Sequence, residues 1–123
     1  MAVYSNPIAT GLTHKITRGT VSNGALENIT GGATTIYTLI FDNDMNAAQT
    51  IYVKLFDATT LTPASDHPDL CVRLDADEKN ISFTIPGGLS FSNGISMYAT
   101  VSNGGSGGTV APGSDLNFFI IHS

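Results

Sequence analysis

The run Asn46-Ala-Ala-Gln-Thr-Ile-Tyr-Val-Lys-Leu-Phe-Asp57, with Ile85-Pro-Gly-Gly-Leu-Ser-Phe-Ser-Asn-Gly-Ile95 further on, decides how the chain is read. In the first, Ile51, Val53 and Leu55 alternate with Tyr52, Lys54 and Phe56. A period of two sends successive side chains to opposite faces of a strand. In the second, an apolar strand end meets a Pro-Gly-Gly turn, and Leu89-Ser-Phe-Ser-Asn-Gly-Ile95 starts the next strand.

The same texture extends in both directions. Strand-like runs cover Leu12–Arg18, Ala25–Ile29, Thr34–Asp42, Thr50–Asp57, Asp69–Leu74, Asn80–Ile85, Ile95–Ser102 and Asp115–His122, about eight strands in all. No stretch sustains a 3.6-residue apolar period, so helices are not expected. Ser-Asn-Gly recurs at Ser22–Gly24, Ser92–Gly94 and Ser102–Gly104, where Asn-Gly supplies the positive φ of tight reversals. Short strands with frequent turns read as an antiparallel sandwich or barrel. Residues 12–123 form the one domain, and 1–11, with Pro7 and little pattern, form an N-terminal arm. A terminal edge strand completing the sheet is the other reading of that arm.

Composition narrows the function. Of 123 residues, 41% are apolar, enough for a single core, while only 12% are charged, about half the usual share. Such a hydroxyl-rich, weakly charged surface suits extended contact with another protein. The net charge is −5, and Lys15, Arg18, Lys54, Arg73 and Lys79 form no basic run, which argues against nucleic acid as a partner. No apolar stretch reaches the length of a membrane span, and no secretory signal pattern opens the sequence. No membrane partner is expected, and synthesis in a cytoplasm is. Cys71 has no intrachain partner and sits in a strand-like run, so it reads as a core thiol.

Motifs for chemistry fail on inspection. Gly104-Gly-Ser-Gly-Gly108 has the letters of a nucleophile elbow, but Thr-Val-Ala-Pro-Gly follows where a helix must begin. Asp42-Asn-Asp-Met-Asn46 opens like a calcium loop, yet Ala47 replaces its glycine and Val53 its bidentate glutamate. Asp66-His-Pro-Asp69 lacks a second histidine, Asp75–Glu78 reads as a solvated turn, and His14 and His122 stand singly in strand patterns. The sequons at Asn28 and Asn80 matter only in a secretory pathway. No catalytic residue, metal site or cofactor is expected.

Strands apolar on both sides ask for a second cover. In Thr34–Asp42, Tyr37, Leu39 and Phe41 oppose Ile36 and Ile40; in Thr50–Asp57, Tyr52 and Phe56 oppose Ile51, Val53 and Leu55. The face carrying Tyr52, Lys54 and Phe56 is the expected oligomer interface; a covering loop such as Ala58–His67 is the alternative that needs no partner. Val3, Tyr4 and Ile8 are the apolar side chains of the arm, expected to dock on a neighbouring subunit.

Taken in order, Ile36–Asn43, Tyr52–Asp57 and Gly88–Ile95, with Thr100 in the following strand, resemble a signature of small β-rich virion proteins of tailed bacteriophages, the capsid decoration or cement proteins. The likeness spans Thr34 to Thr100, about half of the chain, and β-hairpin chemistry alone favours several of its residues. It implies an all-β fold, a single antiparallel β-sandwich of about eight strands with a jelly-roll-like winding open to it. It also implies many copies on the outer capsid surface of a virion, the major capsid protein as partner, a homo-oligomer (most often a trimer), and no catalytic residues. A carbohydrate-binding module is the rival from another class, with Tyr4, Tyr37, Tyr52 and Tyr98 as the available sugar-stacking rings. A tail or baseplate β-sandwich is a third expectation, and a small hydrolase using His67 or Ser106 the weakest.

Overall fold

The structure, a computed structural model, describes residues 3–7, 14–46, 49–78, 80–102 and 108–123, with side chains from residue 14 onward. The described residues form eight strands: β1 (Val3–Pro7), β2 (Lys15–Val21), β3 (Thr34–Asp42), β4 (Ile51–Asp57), β5 (Leu70–Leu74), β6 (Asn80–Phe91), β7 (Ile95–Thr100) and β8 (Leu116–His122). All ladders are antiparallel. They build a sheet ordered β1-β2-β8-β3-β6 and a second ordered β5-β4-β7, packed as a β-sandwich.

The segment expected as a strand over Ala25–Ile29 lies against the free side of β7 without being a regular strand. Leu26 and Met97 exchange N–H···O bonds at 2.9 Å, Ile29 N–H donates to Ile95 O, and Ala99 N–H donates to Ser22 O. Counted in that place, it makes the second sheet four strands wide. From β2 onward each connection then crosses between the sheets, except β4 to β5, which are neighbours in one sheet; this is the winding of a jelly roll.

Alternation places the core. Ile36, Leu39 and Phe41 of β3, Ile51, Val53 and Leu55 of β4, Ile95, Met97 and Ala99 of β7, and Leu116, Phe118 and Ile120 of β8 are buried between the sheets. At about 25 cal/mol per Å² of apolar surface removed from water, this layer is the main source of stability.

Three expectations need correction. The Pro-Gly-Gly stretch is no reversal: β6 runs through it, and the register against β3 shifts between Ile36 and Thr38 to absorb the extra residues. Pro86 is tolerated because β6 is an edge strand. At Gly88, φ is +82° and a Cβ would collide with the Thr35 methyl, so the bulge requires glycine. Second, residues 3–7 are an edge strand paired with β2, Tyr4 opposite Arg18, and not an irregular arm; Ile8 lies outside the described residues. Third, Cys71 is exposed. It sits opposite Lys54 on edge strand β5, facing away from the core, while Val72 and Leu74 face inward.

Candidate functional site

The face of β4 that carries Tyr52, Lys54 and Phe56 is covered by the chain itself. Phe56 is 2% exposed and Lys54 fully buried, while Tyr52 is half-buried. Phe56 stacks on Tyr98 of β7 with ring centroids 5.7 Å apart, and Leu61 and Ala58 of the following loop close over the pair. Lys54 Nζ lies 5.1 Å from the Tyr98 ring centroid and 3.5 Å from its hydroxyl. The expected oligomer interface is therefore withdrawn, and the covering-loop alternative holds. Turn chemistry shapes that loop: the Asp66 carboxylate accepts from Thr62 N–H at 2.8 Å, and Glu27 accepts from Leu61 N–H.

Carboxylates read from sequence as potential ligands are mostly committed to backbone N–H groups. Asp57 accepts from Ser92 and Asn93 and Asp69 from Asp57, while Asp42 Oδ1 accepts from Asp44. In the calcium-like stretch, the Asn46 amide exchanges bonds with Ser114 at 2.8 Å, tying the turn Asp44–Asn46 to the start of β8. Among the described residues no three metal-ligating side chains gather, and no helix is long and apolar enough to cross a membrane. Residues 103–107, with Ser106, lie outside the described residues.

His122 is buried in a hydroxyl cluster at the end of β8. Its Nε2 lies 2.7 Å from Thr17 Oγ1, and its Nδ1 lies 2.8 Å from the Ser123 carbonyl and 3.1 Å from Thr34 Oγ1. An Nδ1–H donating to the carbonyl leaves Nε2 to accept from Thr17, the neutral tautomer. Burial holds the imidazole below its ordinary value, the Ser123 bond opposes this, and the Lys15 charge reinforces it. This is a structural histidine.

Two surfaces are open among the described residues. One is the β5–β6 side of the sandwich, where each strand is paired on one edge only. Phe83 and Leu89 lie opposite core residues Leu39 and Ile36, yet are 39% and 37% exposed. The facing sheet stops short of covering them. The other is the outer face of the five-stranded sheet. Register aligns Arg18, Phe119, Ile40 and Ser82 in one cross-strand row, and Thr20, Asn117, Asp42 and Asn80 in the next. Between these rows runs a groove of about 640 Å³. Sequence reasoning did not assemble it, because its members come from four strands. The visible signal was the four-residue apolar run Phe118–Ile121, which must place two side chains on each face.

Compared with known proteins, the chain matches no family model and no curated protein sequence.

Proposed function

We propose that the protein is a structural component of a tailed-phage virion, a decoration protein that docks in many copies on the outer capsid surface and stabilises the head. The observation that carries this reading is the open β5–β6 side. A twelve-residue edge strand with Phe83 and Leu89 uncovered is a surface that a partner can bury. The ordered likeness across Thr34–Thr100 supports the choice of partner, the major capsid protein, and of a homo-oligomer such as a trimer. On this reading the work is mechanical: burial of apolar surface bridges neighbouring capsid subunits, at about 25 cal/mol per Å² before association costs. Synthesis takes place in the host cytoplasm. The β1 edge, with Val3 and Tyr4, is a secondary contact.

The test is co-sedimentation of the purified protein with phage heads stripped of decoration. Wild type should pellet with heads, and Phe83→Ser with Leu89→Ser should remain in the supernatant at an unchanged melting temperature. Failure of wild type to pellet, or full binding by the double variant, overturns the reading.

A further inference from the structure

We infer that the groove on the outer face of the five-stranded sheet binds a neutral hexopyranose saccharide. Its volume of about 640 Å³ lies within the range of small-ligand sites. The floor is apolar, with Phe119 next to Ile40 in register, and offers a surface for the C–H face of a sugar ring. The adjacent row supplies Asn117, Asp42 and Asn80 side by side on β8, β3 and β6.

These groups match a sugar edge, where each hydroxyl both donates and accepts. A carboxylate only accepts, whereas each amide does both. Among the described residues the Asn80 and Asn117 side chains are exposed on this face, whereas Asn46 and Asn93 are committed to turns. Among the described residues the lining carries one acidic and one basic residue, Asp42 and Arg18, a balance that favours a neutral ligand over a phosphate. The chain's charge of −5 works in the same direction. Tyr37, Tyr52 and Tyr98 do not line this groove; its ring among the described residues is Phe119. A shallow site of this kind is weak singly, and many copies on one particle would add avidity.

The inference is independent of capsid docking, which uses a different surface, and is tested on the isolated protein. Backbone amide shifts of the full chain are followed by NMR during titration with glucose, galactose, mannose and N-acetylglucosamine, and with maltohexaose. Shifts are expected at residues 18–20, 40–42 and 117–119. Asn117→Ala and Asn80→Ala, each with the wild-type melting temperature, should weaken binding about five- to tenfold by removing one hydrogen-bonding group. Absence of shifts with every sugar, shifts mapping elsewhere, binding unaltered in both variants, or shifts with inorganic phosphate but no sugar would each overturn it.

Discussion

The Asp57 carboxylate accepts the Asn93 N–H at 2.8 Å, joining the end of β4 to the turn before β7. The Ser92 N–H adds a second bond at 3.1 Å, the Asn93 amide returns one to the Asp57 carbonyl, and Ala58 N–H donates to Gly94 O. These contacts explain why the two stretches that open the sequence reading belong together. The strand ending in Asp57 supplies the anion that the Ser-Asn-Gly turn requires.

Hydrogen bonds from Asn93 and Ser92, the Asn93 bond foremost, hold the Asp57 carboxyl below its ordinary value against a smaller opposing effect of burial. A depressed carboxylate stabilises the fold above its unfolded pKa of 3.8, and the contribution is lost as pH falls through the lower folded value. Asp57→Ala should therefore melt below wild type at pH 7, with the gap closing in acid. Equal melting temperatures at pH 7 would contradict the turn-anchoring role.

Phe56→Ser should destabilise the monomer by about 3–5 kcal/mol, the range for removing a buried aromatic ring. Urea unfolding measures the loss. Sedimentation of the folded fraction should show the same assembly state as wild type, since Phe56 is covered by Tyr98 and Leu61 of its own chain. A stable variant with altered mass would restore the interface originally expected on this face.

Gly88→Ala should cost about 1–2 kcal/mol for the left-handed backbone alone, and more for the collision with Thr35 and the Tyr37 ring. Gly24→Ala is the control, because a Cβ there meets nothing within 4 Å and no left-handed φ is required. Thermal melts of the two variants should separate clearly.

His122 sets an acid-side limit on stability. Its folded pKa is lowered from 6.5, so below that value the unfolded chain binds the extra proton first. The contribution is whole above the unfolded pKa and declines as pH falls from there toward the folded value. Melting temperature should fall between pH 7 and pH 5, and His122→Gln should flatten that part of the profile. An unchanged slope would assign the decline to other groups.

Cys71 should react with a maleimide in the folded protein without denaturant, since it is exposed on β5. Partial burial pushes its thiol up, with the Lys54 charge opposing, so labelling should quicken as pH rises toward 9. Labelling that requires urea would return Cys71 to the core.

Sequence by itself determined the all-β class, most of the strand positions and the reversal at Ser92–Gly94, because a two-residue period and Asn-Gly chemistry act within a few residues. It also showed that β3 and β4 are apolar on both sides. Tertiary structure alone decided what covers each second face: the loop carrying Leu61 seals Phe56, whereas Phe119 and Ile40 are left flooring a groove. It also turned the Pro-Gly-Gly stretch into a bulge inside β6, since β3 holds the strand on both sides of it. Cys71 went outward for a comparable reason, as Leu70-Cys-Val-Arg-Leu74 fits either phase until β4 fixes the register. Covering and register depend on contacts between residues far apart in the chain, and a local pattern carries no record of which distant segment arrives.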